Sequence, residues 1–273
     1  MNILMQAMSD RCFDVGIAEG HAVTFSAGLA AAGMVPFCNI YSSFMQRAYD
    51  NVIHDVAIQN LPVVLCLDRG GLVGEDGVTH HGLFDLAAFA TVPSLVVAAP
   101  MDERELRNMM YSALHAGTPY LIRYPRGAGA GAEWQGEPFE ALPTGKGRRL
   151  REGSDVVLLT IGTVGNAGLR AAERAAAEGV SVAHYDLRFA KPLDEELLTE
   201  VGGRFPRVVT VADGSLRGGV GEAVTAWFNS HGFRPAVRSL GVGDQWVEHG
   251  TPAQLHTLCG YDEESIYRAI VND

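Results

Sequence analysis

The chain has 273 residues, with 32 Asp and Glu against 21 Lys and Arg and a formal net charge of −11. A surface with this charge repels nucleic acid and anionic membranes, so the composition favours a small-molecule or protein partner. No apolar run reaches the length of a membrane span, and residues 1–9 lack the basic start and long apolar core of a signal peptide. We therefore expect a cytoplasmic protein whose four scattered cysteines, Cys12, Cys38, Cys66 and Cys259, are reduced.

The first segment with a chemical signal surrounds Glu19. A short apolar run at 15–18 precedes it and small residues at 22–32 follow, which predicts a strand-to-helix junction at Glu19 and a helix packed on both sides. A carboxylate with so few polar neighbours is desolvated and can hold a proton near neutral pH. The structural alternative is an acidic residue in a first helical turn, where the helix dipole favours it.

The next elements lead to a glycine-rich loop. The apolar pattern predicts a strand at 35–40, a polar turn at 41–43, an amphipathic helix at 44–59 and a strand at 63–67. The last of these is a continuous apolar run, which is typical of a strand buried on both faces of a parallel sheet. The loop after Asp68 and Arg69 therefore lies at the carboxyl end of a strand, where α/β folds bind their ligands.

The remaining elements alternate between helix and strand in two blocks. The first block continues with a helix from about residue 84, a strand at 95–99, a helix from 100–102 with Glu105 in its first turn, and a strand at 120–124. Residues 131–145 have no hydrophobic period and predict a linker. The second block predicts strands at 156–161, 180–185, 208–211 and 236–240, and helices at 166–178, 194–201, 221–230, 252–258 and 263–271. We predict an α/β protein of two domains, 1–130 and 146–273, each a mostly parallel sheet flanked by helices.

Four motifs follow one another along the chain. They are Phe-Asp-Val-Gly-Ile-Ala-Glu at 13–19, Ile-Tyr-Ser-Ser-Phe-Met-Gln-Arg-Ala-Tyr-Asp at 40–50, Leu-Asp-Arg-Gly-Gly-Leu-Val-Gly-Glu-Asp-Gly-Val-Thr-His-His-Gly at 67–82 and Ile-Arg-Tyr-Pro-Arg-Gly at 122–127. Their order and spacing resemble the 1-deoxy-D-xylulose-5-phosphate synthases, which are thiamine-diphosphate enzymes of the transketolase superfamily. The resemblance covers nearly the whole chain after the first dozen residues. It implies a pyrimidine-binding domain followed by a transketolase C-terminal domain.

The resemblance assigns the cofactor contacts to Glu19 and Phe44. The family's glutamate hydrogen-bonds the aminopyrimidine of thiamine diphosphate and promotes the imino tautomer that deprotonates the thiazolium, so Glu19 is implied as catalytic. Phe44 matches the aromatic residue that stacks on the aminopyrimidine; its structural alternative is a core side chain at the start of a helix. Gly20 departs from the family's usual glutamine, and His21 follows the family as a substrate contact or a structural histidine.

The resemblance also implies two substrates, pyruvate and D-glyceraldehyde 3-phosphate. It assigns Asp76 and a catalytic His80 to the pyruvate-derived intermediate, and Tyr41, Arg69 and Arg126 to the phosphate of the aldehyde. Either arginine taken alone favours a surface ion pair with the acidic excess. Because His80 and His81 are adjacent and point different ways, we predict no metal site in this chain.

Thiamine diphosphate also needs a domain whose Gly-Asp-Gly and later asparagine hold Mg²⁺ and the diphosphate. No Gly-Asp-Gly occurs in this sequence. We therefore expect an N-terminal domain outside the sequence to bind Mg²⁺, and this chain to be inactive alone and to act as a homodimer or with an N-terminal diphosphate-binding subunit. The alternatives are the β-type subunit of a 2-oxoacid dehydrogenase, the C-terminal subunit of a split transketolase, and a non-catalytic dimerising relic. A glycine-rich turn at 162–168, with Asp186 beyond it, leaves dinucleotide binding as a further, weaker alternative.

Overall fold

The computed structural model describes residues 2–272, which form two sheets flanked by helices. Within that range the strands are β1 Phe37–Tyr41, β2 Val64–Asp68, β3 Val96–Ala98, β4 Tyr120–Arg123, β5 Arg148–Arg151, β6 Val156–Ile161, β7 Val182–Asp186, β8 Phe189–Lys191, β9 Arg207–Ser215 and β10 Ala236–Val242. The helices are α1 Asn2–Ala7, α2 Glu19–Ala31, α3 Ser42–Met45, α4 Tyr49–Asn51, α5 Asp85–Ala90, α6 Glu103–His115, α7 Val164–Ala177, α8 Glu195–Arg204, α9 Val220–Ser230, α10 Pro252–Cys259 and α11 Glu263–Val271. Ser9–Arg11 and Gln46–Ala48 are 3-10 turns, and Val52–Ala57 is a π-helix.

Each sheet has five strands, of which four are parallel. The first sheet has the order β1-β2-β4-β3-β8, and β8 runs antiparallel to β3 although it comes from the second half of the chain. The second has the order β10-β9-β6-β7-β5, with β5 antiparallel at its edge. This topology confirms the predicted α/β fold of mostly parallel sheets. None of the helices within 2–272 is long and apolar enough to cross a bilayer.

The segment around Glu19 differs in part from the sequence prediction. Helix α2 begins at Glu19 as predicted, but residues 12–18 form no strand and Ile17 is 95% exposed. The short apolar run is interrupted at Gly16, which has a φ of +69° and donates its N–H to Oδ1 of Asp14 at 2.9 Å, so the backbone turns there instead of extending as a strand. The predicted burial of α2 on both sides was also wrong, since Val23 and Ala27 are buried whereas Thr24 and Gly28 are exposed.

The predicted helix at 44–59 is an irregular helical segment. The backbone passes from α3 through a 3-10 turn to α4 and then to the π-helix, so its hydrogen-bond spacing changes three times between 42 and 57. The apolar face still packs inward, with Met45, Ala48, Val52 and Val56 buried. The two antiparallel edge strands were not predicted. β5 reads Arg-Arg-Leu-Arg and β8 has only three residues, so neither shows the alternation of apolar and polar residues that indicates a strand.

The segment 131–145, predicted as a linker, has no regular structure and lies along α6. The backbone N–H of Gly131 donates to Glu103 at 3.0 Å, and that of Leu142 donates to Ser112 at 2.7 Å. Polar side chains of one helix thus satisfy the backbone of a segment that has no hydrogen-bond ladder of its own. The linker is therefore fixed against the first domain, while the exact domain limits stay a prediction.

The glycine turn after β6 faces the first sheet. A Cβ atom on Gly162 would lie 3.4 Å from Cβ of Ala99, and one on Gly165 would lie 2.9 Å from Sδ of Met101. Asn166 donates from Nδ2 to the carbonyl of Met101 at 2.9 Å. The first domain therefore fills the space that a dinucleotide would need at this turn, which argues against that alternative.

A buried histidine on β7 makes the fold sensitive to acid. His184 is fully buried, with Nε2 2.9 Å from Oγ1 of Thr160. Burial, and secondly the charge of Arg148, lowers the pKa of His184 to about 3, against about 6.5 in an unfolded chain. Because the folded state binds this proton less tightly than the unfolded chain, the contribution of His184 to stability is complete above about pH 6.5 and is lost as the pH falls towards 3.

We predict that His184→Gln removes this acid sensitivity, because glutamine does not titrate. As the pH is lowered from 6.5 towards the acid limit of the folded state, the unfolding free energy of the variant should rise relative to that of the native chain. The difference should grow by about 1.4 kcal/mol for each pH unit. Urea unfolding of both proteins at several pH values measures this difference. Parallel curves of unfolding free energy against pH would contradict the prediction.

Candidate active site

The seven residues singled out from the sequence lie in one connected cluster at the carboxyl edge of the first sheet. Tyr41 ends β1, Arg69 follows β2, and Arg126 follows β4. The carboxyl ends of parallel strands meet at one edge of a sheet, which is why residues far apart in the sequence come together here. The cluster is completed by Glu19 at the start of α2, Phe44 in α3, and Asp76 and His80 in the glycine-rich loop.

Glu19 has a charged partner that the sequence did not predict. Its Oε1 accepts a hydrogen bond from Nη1 of Arg47 at 2.7 Å, and its side chain is only 12% exposed. The expectation of a carboxylate with few polar neighbours is therefore corrected, because the partner compensates the burial. Arg47 lies three residues after Phe44, a spacing that places the two side chains on one side of the helical segment. Nothing in the sequence indicates its pairing with Glu19, which is 28 residues away.

Phe44 lies at the centre of the cluster. Its ring centroid is 5.7 Å from that of Tyr41, with the rings nearly parallel, and 5.1 Å from that of His80, which meets it edge-on. The guanidinium carbon of Arg47 lies 4.8 Å from the same centroid. Phe44 is half-buried and packs against the core on part of its surface. It therefore combines the structural role with an aromatic contact surface inside the site.

Two arginines converge on one carboxylate. The Nε atoms of Arg69 and Arg126 lie 3.9 and 3.8 Å from Oδ2 of Asp76. Arg69 also pairs with Asp68 at 2.7 Å, and its guanidinium carbon lies 3.8 Å from the centroid of the Tyr41 ring. The two guanidinium groups thus lie close to one carboxylate, and their binding of a phosphate stays a prediction.

The paired histidines of the loop have different surroundings. His80 contacts Phe44, and its Nδ1 lies 2.9 Å from Oγ1 of Thr79. His81 is buried, and its Nδ1 accepts from the backbone N–H of Val73 at 3.1 Å. His81 is therefore a structural part of the loop. No group of three His, Cys, Asp or Glu suited to a metal ion occurs among residues 2–272.

A buried ion pair beneath the loop was missed by the sequence analysis. Arg123 at the end of β4 is 4% exposed, and its Nε donates to Oδ2 of Asp85 at 3.0 Å. Its Nη2 donates to the carbonyls of Gly82, at 3.2 Å, and Asp213, at 2.7 Å. Asp85 also accepts from the hydroxyl of Ser42 at 2.9 Å. One guanidinium therefore connects α5, the glycine-rich loop and the second domain.

Asp213 extends this contact into the loop. Its Oδ1 accepts from the backbone N–H of Leu72 at 3.1 Å and from the hydroxyl of Tyr261 at 2.7 Å. Gly71 has a φ of +80°, and a Cβ atom on it would lie 1.9 Å from Oδ2 of Asp213. The second domain thus fixes the start of the loop through a carboxylate that allows only glycine beside it.

We predict that Gly71→Ala lowers the free energy of unfolding more than alanine does at a glycine that has a similarly positive φ but no atoms near the position of its Cβ. Gly117 has a φ of +66°, and a Cβ atom on it would meet nothing within 4 Å, so Gly117→Ala should cost only the backbone penalty of about 1 to 2 kcal/mol. Gly71→Ala should cost about 1 to 3 kcal/mol more, because Asp213 must move. Urea unfolding measures both values. Equal losses would show that Asp213 does not restrain the loop.

Comparison with known proteins agrees with this architecture. Residues 3–130 match the family described as transketolase, pyrimidine binding domain, and residues 145–266 match that described as transketolase, C-terminal domain. The 1-deoxy-D-xylulose-5-phosphate synthase of Bacteroides fragilis is 58% identical over 100% of this chain, which covers 42% of that protein. The synthase of Aquifex aeolicus is 48% identical over 96% of this chain and 41% of its own length. The chain thus spans about two fifths of the length of these relatives.

Solved structures show the same fold. A structure described as "Split gene transketolase, inactive beta4 tetramer" aligns with a TM-score of 0.88 and 28% identity over 98% of this chain and 85% of that one. The transketolase of Campylobacter jejuni aligns with a TM-score of 0.73 and 18% identity over 96% of this chain and 39% of that one. The second likeness concerns the fold alone.

Proposed function

Because the chain belongs to the transketolase family and carries its pyrimidine-binding and C-terminal domains, we propose that it is the pyrimidine-binding portion of a thiamine-diphosphate-dependent transferase similar to 1-deoxy-D-xylulose-5-phosphate synthase. The proposed reaction joins pyruvate to D-glyceraldehyde 3-phosphate with loss of CO₂ and gives 1-deoxy-D-xylulose 5-phosphate, an isoprenoid precursor. The observation that carries the proposal is the cluster in which Glu19, Phe44 and the two convergent arginines lie at one sheet edge.

The residues present fit the aminopyrimidine part of the cofactor. The Glu19 carboxylate bonds to Arg47 through Oε1, and the half-buried Phe44 ring lies in the same cluster. Glu19 and Phe44 therefore offer the acceptor and the aromatic face that a flat, hydrogen-bonding heterocycle requires. We propose that an N-terminal diphosphate-binding domain holds the diphosphate and Mg²⁺, since this sequence has no Gly-Asp-Gly.

Each residue of the cluster has a role in this proposal. Thiamine diphosphate, when bound, supplies the nucleophilic carbon for bond cleavage and formation next to a carbonyl. Glu19 holds and moves a proton through its carboxylate oxygen, in a place that is largely closed to water. Phe44 orients the aminopyrimidine by stacking. His80, in contact with Phe44, exchanges protons with the pyruvate-derived part of the substrate.

Arg69, Arg126 and Tyr41 bind the phosphate of the aldehyde. A phosphate can accept charge-assisted hydrogen bonds from two guanidinium groups that already point to one place. Asp76 contacts both arginines. Its assigned contact with the pyruvate-derived intermediate stays a prediction, and its position beside the arginines also supports a role in keeping them together.

A second candidate function is the C-terminal subunit of a split transketolase. It is favoured by the TM-score of 0.88 with the split-gene transketolase structure, whose description names a tetramer of one subunit. Under either candidate the chain acts with a diphosphate-binding partner, and the two differ in substrates. A synthase takes pyruvate as the donor, whereas a transketolase takes a ketose.

The proposal is tested in a chimera that joins this chain to the N-terminal part of the Bacteroides fragilis synthase. We predict synthase activity from the chimera with thiamine diphosphate, Mg²⁺ and both substrates, and none from the chain alone. Glu19→Gln in the chimera should lower kcat by about 10²- to 10⁴-fold, because the amide keeps the shape but cannot carry the proton. An inactive chimera beside an active Bacteroides synthase, or a Glu19→Gln variant at the native rate, would contradict the proposal. A ketose donor used in place of pyruvate would favour the second candidate.

The phosphate site makes a prediction about one substrate. In the chimera, Arg126→Ala should lower kcat/KM for D-glyceraldehyde 3-phosphate by about 10- to 150-fold. This is the loss expected when charge-assisted hydrogen bonds that contribute about 1.5 to 3 kcal/mol are removed. Unphosphorylated glyceraldehyde and pyruvate should be nearly insensitive, because neither offers a phosphate to the arginine. Equal losses for both aldehydes would mean that Arg126 supports the loop instead.

A further inference from the structure

Arg47 contacts two residues of the proposed cofactor site with one side chain. It donates to Oε1 of Glu19 at 2.7 Å, and its guanidinium carbon lies 4.8 Å from the centroid of Phe44. Its side chain is 58% exposed, whereas that of Glu19 is 12% exposed. The charge that compensates the buried carboxylate thus comes from a residue at the surface of the site.

The two helical elements that carry this contact are fixed to each other. Thr24 of α2 donates to Oδ2 of Asp55 at 2.5 Å, and Asn51 donates to Oγ1 of Thr24 at 3.1 Å. A Cβ atom on Gly20 would lie 3.0 Å from Oδ1 of Asn51, so the absence of a side chain at position 20 lets the elements approach closely. The backbones at Glu19 and Arg47 are therefore held in place. What remains to be fixed is the flexible side chain of Glu19.

We propose that Arg47 is a positioning residue that fixes the Glu19 carboxylate and the Phe44 ring in the relative orientation that proton transfer requires. This inference rests on the proposed function. Arg47 binds one oxygen of Glu19 and leaves the other for the aminopyrimidine. A planar guanidinium can hydrogen-bond in its plane while its face lies on an aromatic ring, and a lysine ammonium cannot do both with the same geometry. Arg47 therefore acts through Glu19 and Phe44 and has no contact with substrate in this role.

The test uses the chimera loaded with thiamine diphosphate and follows the exchange of the thiazolium C2 proton for deuterium by NMR. This exchange reports the Glu19-dependent proton transfer before any substrate binds. Arg47→Ala should slow it by about 10- to 100-fold, the loss expected when a catalytic group is misplaced by about an ångström. Arg47→Lys should recover part of that loss. Thermal unfolding of both variants should stay cooperative and lie well above the temperature of the exchange measurement, even if the unpaired Glu19 lowers it, so that unfolding does not explain the slower exchange.

Two controls make the result specific. The side chain of Arg170 is also 58% exposed, and it pairs with Glu263 at 2.6 Å in the second domain. Arg170→Ala therefore removes a comparable surface ion pair outside the site and should leave the rate of proton exchange unchanged. Arg47→Ala added to Glu19→Gln should cause little further slowing, because the residue through which Arg47 acts is already lost.

The inference would be overturned if Arg47→Ala exchanged the C2 proton at the native rate. It would also be overturned if Arg47→Ala slowed exchange by the same factor in the native chimera and in the Glu19→Gln variant. Faster exchange in Arg47→Ala would also overturn it, since Arg47 would then compete with the aminopyrimidine for Glu19. Failure of the proposed function gives a different result, in which the native chimera binds no thiamine diphosphate or exchanges at the same rate with Glu19→Gln.

Discussion

The site depends on one buried cation. Arg123 lies under the glycine-rich loop and is held by Asp85 and by the carbonyls of Gly82 and Asp213. Removing a guanidinium from water costs several kcal/mol, and only a complete set of partners offsets that cost. Those partners come from the first domain, the loop and the second domain. The loop can therefore take its observed shape only when both domains are folded against each other.

This dependence explains why the loop contains so much glycine. A Cβ atom on Gly70 would lie 2.6 Å from Nε of Arg123, and one on Gly82 would lie 2.5 Å from Oγ of Ser42. The glycines allow the backbone to approach the buried polar groups, so the loop is tightly packed although its composition is typical of flexible segments. Asp76 and His80 are carried on this packed loop. The second domain supplies none of the seven candidate residues, yet Asp213 gives it a direct part in positioning them.

The sequence predicted what local patterns and ordered motifs encode. Continuous apolar runs indicated the central strands, and the four motifs indicated seven residues that lie together in the structure. Contacts between distant charged residues left no such pattern. Arg47 and Glu19 are 28 residues apart, and Arg123 and Asp85 are 38 apart. Arg123 lay in a predicted strand and in the fourth motif without an assigned role, and Asp85 lay in the helix predicted from about residue 84. A buried ion pair depends on how the elements pack, and hydrophobic periodicity does not record it. The edge strands were not predicted for a related reason, since β5 and β8 are strands only through their pairing with neighbours in the sheets.

The charge balance of the cluster bears on how an acidic protein would bind an acidic substrate. With a net charge of −11, the chain as a whole repels a phosphate. Within the cluster, however, Asp76 approaches Arg69 and Arg126 only at 3.9 and 3.8 Å, beyond the usual hydrogen-bond range of about 2.7 to 3.2 Å. The carboxylate is close enough to offset the repulsion between the two cations, but it does not occupy their donors. A phosphate would therefore add hydrogen bonds without first breaking any to Asp76, although it would compete with Asp68 for Nη1 of Arg69. The local geometry, rather than the overall charge, would then decide which anion binds.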